Sequence, residues 1–345
     1  MNIQKTATDG TSGMLNLDNH RNSDRVGTLL TFIEKRGKAS VNQIIEELGI
    51  SRQALYKHYL TPLLDANAIA KFGKPPKVYY SIKIDQPKTS STSAKIESVL
   101  VDYIQITPSG QLLKGDEAFT FWCQERDYDR DTYLKKYKDL QKNNLKFKDS
   151  SGLISADKEM RETFADYCLA KTAYVDFYAD EIFGKTSLGQ LVLYAKQAQD
   201  KKLFKQILSL TEAKINTFIK LNKIEVVCFI PPTVKRQQQL MGYLNNHLAI
   251  NIPRIKLSKI VGDIITPQKT LSKLKDRIIN INQTVFVGES LQVNGRNILI
   301  IDDAVGSGAS FNEVAKMLNN LEPDSKIYGL ALVGSKKGFD VINEA

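Results

Sequence analysis

The pattern of hydrophobic and polar positions divides the chain into three regions. Residues 24–84 combine short helical faces with two strand-like runs, and residues 95–222 are dominated by helical periodicity. From residue 225 onward, short β-rich runs alternate with helical segments, which predicts a mainly parallel α/β sheet. Residues 1–23 are polar and aperiodic, so we expect a disordered tail there. The polar, Ser/Thr-rich stretch within residues 86–98 is expected to be a linker.

The N-terminal region has the pattern of three helices followed by a hairpin. Residues 26–33 place four apolar side chains on one helical face, and residues 41–48 form a second helix capped by Ser40. Gly49 supplies a tight turn, and Ser51 caps a third helix. Strand-like runs at 68–72 and 77–82 then predict a β-hairpin. In this order the elements make a winged helix, and residues 24–85 resemble the winged helix-turn-helix domains of bacterial regulators.

Polar and basic side chains are placed in this region as DNA recognition requires. The start of a recognition helix meets base edges and phosphates, while basic residues on a wing meet the flanking phosphates. Residues 24–85 hold ten Lys or Arg against six Asp or Glu. An alternative is that the fold serves protein contacts, as in some winged helices. The residues expected to bind nucleic acid are Ser51, Arg52, Gln53, Tyr56, Lys57, Lys71, Lys74 and Lys77.

The most informative stretch is residues 297–311, NILIIDDAVGSGASF. An apolar strand ends in Asp302 and Asp303, and a loop of small residues then leads into a helix. Backbone N–H groups and the positive end of a helix dipole bind phosphate, and adjacent carboxylates accept hydrogen bonds from vicinal hydroxyls. The pattern therefore predicts a site for a sugar phosphate at the carboxyl end of a strand. The loop residues expected to bind it are Ala304, Val305, Gly306, Ser307, Gly308, Ala309 and Ser310.

This stretch resembles the signature of type I phosphoribosyltransferases and is most similar to the ComF type. The resemblance extends over about 160 residues, through 183–208, 225–236, 253–257 and 266–280, and it includes an exposed lysine after an apolar run in the first of these segments. Two features depart from the family. The usual Arg-Gly-x-Asn-Gln after the first strand is KRQQQ at 235–239, and the zinc-binding N-terminal module is replaced by the winged helix.

The resemblance implies a phosphoribosyltransferase-like domain at 181–345 and leaves residues 99–180 as a mostly helical connector or oligomerisation element. It implies that the protein binds phosphoribosyl pyrophosphate or a related sugar phosphate together with Mg²⁺, and it favours an enzyme that transfers the phosphoribosyl group to a nitrogen acceptor. Asp302 and Asp303 would be the catalytic residues that hold the ribose hydroxyls. The cations expected to face the pyrophosphate are Lys235, Arg236, Lys256 and Lys259.

Two other functions fit the same combination of domains. One is a ligand-sensing transcriptional regulator with a non-catalytic phosphoribosyltransferase fold, an arrangement that the purine repressors of some bacteria resemble. The other is an effector of a retron-type antiviral defence system, in which the winged helix would bind DNA or an RNA–DNA molecule. Each keeps the sugar-phosphate site and changes only what ligand binding does.

Composition limits the partners and the cellular location that we expect for the protein. The formal net charge of the 345-residue chain is +10, which favours polyanionic partners. Three dispersed cysteines without a CxxC pair predict neither a disulfide framework nor a protein-held metal. Since no run approaches about 18 apolar residues and the N-terminus lacks a signal-peptide pattern, we expect a cytoplasmic protein without a membrane span. A homo-oligomer is compatible with the pattern.

Overall fold

The computed structural model describes the backbone of residues 12–66, 68–82, 98–288 and 295–335, and the side chains of residues 12–23 and of Lys74 are outside the description. The chain forms two compact units, Met1–Ala94 and Lys95–Ala345. The expected linker at 86–98 lies outside the described residues except for its last residue.

The first unit contains helices, a π-helical segment and a small antiparallel sheet in the strand order β1-β3-β2. Its core is formed by side chains such as Leu29, Ile44, Leu55 and Tyr80. The elements are α1 (Ser12–Arg36), β1 (Ala39–Ser40), α2 (Val41–Leu48), α3 (Arg52–Leu55), the π-helical segment Tyr56–Leu60, α4 (Thr61–Asp65), β2 (Ile69–Lys74) and β3 (Lys77–Ile82).

Local sequence accounts for the boundaries of these helices. The Ser40 hydroxyl accepts a hydrogen bond from the Gln43 amide, and the Gln43 side chain accepts one from the Ser40 amide, which completes a capping box. Gly49 ends α2 with a left-handed backbone (φ 60°), a conformation that glycine adopts without steric cost. Ser51 caps α3 through the Ala54 amide. The capping residues predicted from the sequence are therefore confirmed.

The N-terminal tail differs from the expectation. α1 begins at Ser12, so residues 12–23 are helical in the structure, whereas the sequence pattern predicts a tail over 1–23. The pattern records which faces are apolar, and a polar segment can continue a helix that packing stabilises further along the chain. Residues 1–11 of the expected tail lie outside the described residues.

The second unit has helices on both faces of a six-stranded sheet. Its helices are α5 (Gly115–Gln124), α6 (Arg130–Leu145), α7 (Asp157–Thr163), α8 (Ser187–Ala198), α9 (Lys201–Leu221), α10 (Leu240–His247), α11 (Leu274–Thr284) and α12 (Ala309–Leu321). Its strands are β4 (Ile104–Ile106), β5 (Leu112–Lys114), β6 (Ile154–Ser155), β7 (Lys171–Phe177), β8 (Ala179–Asp180), β9 (Gly184–Lys185), β10 (Val226–Phe229), β11 (Arg254–Ile255), β12 (Leu257–Lys259), β13 (Val285–Val287), β14 (Asn297–Val305) and β15 (Lys326–Gly334).

The six-stranded sheet has the order β11-β10-β14-β15-β7-β6, with all pairs parallel except the edge pair β6–β7. Alternate side chains of the central strands enter opposite cores, as the two-residue period of a strand requires. Ile298 and Ile300 pack with α11 and α12, whereas Leu299 and Ile301 pack with α8, α9 and α10. The mixed α/β class and the mainly parallel sheet predicted from the sequence are confirmed.

The strand order creates a crevice between β10 and β14. The chain leaves β10 through α10 to reach β11 on one side, and it later returns as β14 on the other side of β10. In open parallel sheets, ligands bind outside the carboxyl ends of the strands where the order reverses in this way. Phe229 and Ile301 are register partners at these ends, so the segments that follow them are neighbours.

The region expected to be a helical connector contributes to this sheet. β7 lies between β15 and β6, and Ala173 and Val175 are buried. The expected boundary between residues 180 and 181 therefore divides a single core. The run at 171–177 is short, and a strand of this length is hard to distinguish from part of a buried helix by periodicity alone.

Helix α8 approaches the end of β7 at a glycine. Thr186 caps α8 by accepting a hydrogen bond from the Gly189 amide, and its hydroxyl donates to the Phe177 carbonyl at 2.6 Å. A Cβ atom on Gly189 would lie 2.0 Å from the backbone oxygen of Tyr178. Only glycine allows the helix to pack this closely against the backbone.

We predict that Gly189→Ala lowers the free energy of unfolding by about 1–3 kcal/mol, because the helix must move away from the Tyr178 carbonyl. Gly242→Ala in α10 is the matched control, since its Cβ would meet the Gln239 Cβ at an ordinary 3.5 Å. In an exposed helix, this change should stabilise by about 0.5–1 kcal/mol. Urea unfolding of both variants checks the prediction, and equal effects would contradict it.

Candidate functional site

A cavity of about 490 Å³ lies at the carboxyl ends of β10 and β14. Most of its lining comes from five parts of the second unit: α8, the segment from β10 into α10, the end of β12, the stretch from residue 267 into α11, and the stretch from the end of β14 into α12. Five cationic and two acidic side chains are among the described residues that line it. These are Lys196, Arg236, Lys259, Lys269, Arg277, Asp302 and Asp303.

The two acidic side chains are adjacent in β14. The Asp303 amide donates a hydrogen bond to Asp302 Oδ1 at 2.7 Å, which fixes the Asp302 carboxyl against the backbone. Burial raises the pKa of Asp302 well above its usual value of 3.8, and the neighbouring charge of Asp303 raises it further. The Asp302 carboxyl therefore retains its proton to a higher pH than an exposed aspartate does.

Lys196 of α8 provides the counter-charge for the acidic pair. Its Nζ lies 2.7 Å from Asp303 Oδ2, and the Lys196 and Asp303 side chains are 37% and 19% exposed. Burial lowers the pKa of Lys196, but attraction and a hydrogen bond to Asp303, together with attraction to Asp302, outweigh that effect and leave the pKa above its usual value. A fixed cation therefore faces the cavity beside the carboxylate.

The N-terminus of α12 forms another wall of the cavity. β14 continues through Val305, where it still pairs with Gly334, and α12 begins at Ala309. Gly308 joins them with a left-handed backbone (φ 77°), which favours glycine, and the buried Ser307 hydroxyl accepts a hydrogen bond from the Ala309 amide at 3.4 Å. Amides at the start of a helix attract anions, so this wall is suited to a phosphate group.

Cations from β12 and α11 are held by a network centred on α11. Asn280 Oδ1 accepts hydrogen bonds from Lys259 Nζ at 3.4 Å and from Gln268 Nε2 at 2.7 Å. Arg277 Nε donates to the Leu271 carbonyl at 2.7 Å. Burial lowers the pKa of Lys259, although attraction to Asp302 opposes that effect. The segment that brings Gln268 and Lys269 to the cavity is thus attached to α11.

Most residues expected to bind a sugar phosphate line this cavity. They are Asp302, Asp303, Arg236, Lys259 and every residue of 304–310, although Ala304 and Val305 belong to β14 and Ala309 and Ser310 to α12. The loop is shorter than expected because β15 is long enough to pair as far as Val305.

Two expected cations lie outside the cavity lining. Lys256 is exposed and alternates with the inward-facing Ile255 and Leu257, so it points to the other side of the chain. Lys235 is also exposed, whereas the next residue, Arg236, lines the cavity.

The sequence expectation missed Lys196, Lys269 and Arg277 as cavity residues. The exposed lysine of the 183–208 segment was a signal for Lys196, since it follows the apolar run LVLYA. Arg277 lies within the 266–280 segment that resembles the family, but the pattern did not assign it to the site. Only the fold brings α8 and the segment before α11 to the end of β14.

The residues expected to bind nucleic acid lie on the first unit. Ser51, Arg52, Gln53, Tyr56 and Lys57 are all exposed. Arg52 and Gln53 lie in α3, and Tyr56 and Lys57 follow them by four residues in the π-helical segment. The Arg52 guanidinium donates to Asn42 Oδ1 at 2.6 Å, which links α3 to α2. On the hairpin, Lys71 and Lys77 are exposed, and the side chain of Lys74 is outside the description.

Two kinds of feature are absent among the described residues. No group of three or more His, Cys, Asp or Glu side chains comes together as a metal site in that part of the chain. No helix there is both long enough and apolar enough to cross a membrane.

Comparisons with known proteins give little. No protein-family model matches the chain, and neither does any curated protein. Among solved structures, a hypoxanthine phosphoribosyltransferase from Staphylococcus aureus is similar at 12% identity with a TM-score of 0.25. The similarity covers 41% of this chain and 70% of that protein. A likeness of this size establishes neither the fold nor the function of this chain.

We predict that Asp302→Asn stabilises the protein relative to wild type increasingly as the pH rises above the usual aspartate pKa of 3.8. The folded pKa of Asp302 is above the unfolded value, so the unfolded state loses this proton first and the wild type loses stability through this pH range. Asp303→Asn should instead destabilise, because Lys196 loses its partner. Urea unfolding at several pH values measures both effects. A pH-independent gap between Asp302→Asn and wild type would contradict the assignment.

Proposed function

We propose that the second unit binds phosphoribosyl pyrophosphate or a related sugar phosphate, and that the first unit is a winged helix-turn-helix that binds nucleic acid. The observation that carries the first part is the meeting of the acidic pair and the α12 N-terminus in one cavity. A sugar phosphate carries two kinds of polar group. Its phosphate would bind at residues 306–310, and its diol would bind at Asp302 and Asp303.

The charges around the cavity support a ligand with several phosphates. Five cations face two acids, and one of those acids is paired with Lys196. Arg236, Lys259, Lys269 and Arg277 are then available for a pyrophosphate. A multiply charged ligand explains why so many cations converge at a place where desolvation lowers the pKa of Lys259.

Mg²⁺ fits this site as an ion that arrives with its ligand. The described residues provide two carboxylates here, one of them paired with Lys196, and no larger cluster of ligating side chains. Hard oxygen donors suit this ion, and it retains several waters when substrate phosphates bind it. When bound, Mg²⁺ would neutralise charge on the pyrophosphate, and Asp302 and Asp303 would hold the sugar that carries it.

For the activity, we propose transfer of the phosphoribosyl group to a nitrogen acceptor. The nitrogen forms a bond to ribose C1, the bond from C1 to the pyrophosphate oxygen breaks, and pyrophosphate leaves with the electron pair. The nitrogen loses a proton to solvent or to the departing pyrophosphate. The chain contributes mainly by orienting the sugar and balancing charge, as is typical when the leaving group is already highly charged.

A ligand-sensing role is the second candidate, and one observation favours it. In the segment after β10, Gln239 Nε2 donates to the Val234 carbonyl at 3.0 Å, and the Gln238 amide donates to Gln199 Oε1 at 3.1 Å. These donors are occupied within the protein and are not directed at a leaving group. Ligand occupancy would then change nucleic-acid affinity through a coupling free energy of about 1–3 kcal/mol.

Calorimetric titration with phosphoribosyl pyrophosphate and Mg²⁺ tests the sugar-phosphate proposal. We expect micromolar binding to the wild type and at least a tenfold loss in the double variant Asp302→Asn, Asp303→Asn, since each hydrogen bond to a charged group contributes about 1.5–3 kcal/mol. The control is Asp131→Asn, Asp139→Asn on the exposed face of α6, which makes the same pair of substitutions away from the cavity. Equal affinity in both double variants would refute the site. Pyrophosphate release on adding acceptor bases separates transfer from sensing.

Fluorescence anisotropy with duplex DNA tests the first unit. The double variant Arg52→Ala, Lys57→Ala should bind more weakly and reduce the slope of log K against log salt by about 2, close to one for each phosphate that is no longer neutralised. Lys158→Ala, Lys326→Ala in the second unit is a control with the same charge change at exposed positions. An equal loss of affinity in both variants would mean that only net charge matters.

A further inference from the structure

The ion pair between Lys196 and Asp303 lies where the proposed ligand would present its sugar. Both side chains line the cavity, with Lys196 Nζ 2.7 Å from Asp303 Oδ2. A lysine ammonium has three donors and no acceptor, and a carboxylate has only acceptors. The pair therefore leaves donors on Nζ and acceptor positions on the carboxylate available to a third group.

A hydroxyl is the group that satisfies both partners at once. It donates its proton to the carboxylate and accepts a hydrogen bond from the ammonium, whereas an ether oxygen or a C–H group cannot do both. Hydrogen bonds with charged partners are about twice as strong as neutral ones. A site with such a pair disfavours a ligand that lacks the hydroxyl, because that ligand displaces water from the pair without replacing the hydrogen bonds of the water.

The fold holds Lys196 in this position. Gly189 and Lys196 are seven residues apart, which places them on the same face of α8 about two turns apart. At Gly189 this face packs directly against the Tyr178 carbonyl, and at Lys196 it reaches the end of β14. The position of the ammonium is thus set by helix packing as well as by attraction to Asp303.

We propose that Lys196 is a specificity-determining residue that, together with Asp303, recognises one sugar hydroxyl as both donor and acceptor. The ligand class is then a ribose phosphate with both vicinal hydroxyls present, in preference to deoxyribose phosphates. This inference rests on the proposed sugar-phosphate function and adds a role for a lysine that a phosphate cradle and an acidic pair do not require.

The test compares Lys196→Met, which removes the charge at similar length, with Lys196→Arg, which retains it. Lys202→Met on the exposed start of α9 is the matched control, and thermal unfolding verifies that each variant folds. Calorimetry would use ribose 5-phosphate, 2-deoxyribose 5-phosphate and 3-deoxyribose 5-phosphate as titrants. We expect the wild type to bind ribose 5-phosphate at least tenfold more tightly than one of the deoxy sugars.

In Lys196→Met, that ratio should fall below threefold because ribose 5-phosphate binds more weakly while affinity for the poorly bound deoxy sugar changes little. Lys196→Arg should keep most of the discrimination, and Lys202→Met all of it. If Lys196→Met keeps the wild-type ratio, or weakens all three sugars equally, the inference is overturned and the sugar-phosphate proposal stands. If none of the sugars binds the wild type, both fail together.

Discussion

Two adjacent carboxylates at the carboxyl end of one buried strand are the constraint on which the cavity depends. Asp302 and Asp303 follow four fully buried residues of β14, and the register with β15 holds their backbone in place. Ionising both of these adjacent carboxyl groups costs free energy, because burial disfavours charge and like charges repel. Both effects raise the pKa of Asp302. The Asp303 carboxylate lies 2.7 Å from Lys196 Nζ. Cations from separate segments of the chain line the same cavity as this acidic pair.

The sheet topology determines which elements can bring cations to the acidic pair. Because the strand order reverses between β10 and β14, the segments after both strands open onto one crevice, and helices on both faces reach it. α8 supplies Lys196 from one face, while the β12 and α11 region supplies Lys259 and Arg277 from the other. Charges that are far apart in sequence therefore act on one pair of acids.

Sequence reasoning succeeded where the determining interactions are local. The caps at Ser40 and Ser51 and the apolar run before Asp302 each depend on neighbours within a few residues, so a short pattern is enough to find them. Sequence reasoning failed where contacts between distant segments determine the structure. β7 is a strand because β15 and β6 pair with it, and Lys196 is a site residue because α8 packs against the end of β7. A lysine on a helix gives no sign of such a partner until the fold is known.

The cavity wall formed by the α12 N-terminus adjoins a buried polar contact between α12 and α11. Glu313 of α12 is 3% exposed and accepts hydrogen bonds from Asn282 of α11 at 2.9 Å and from Lys316 at 2.7 Å. Removing either donor would leave a carboxylate buried without full compensation, and the Asn282 bond joins α11 to α12. α11 also carries Asn280 and Arg277, which bond to Lys259, Gln268 and the Leu271 carbonyl. Contacts outside the cavity therefore fix the distance between the α12 N-terminus and the cations held by α11. The site can present its amides and charges without first being ordered by a ligand.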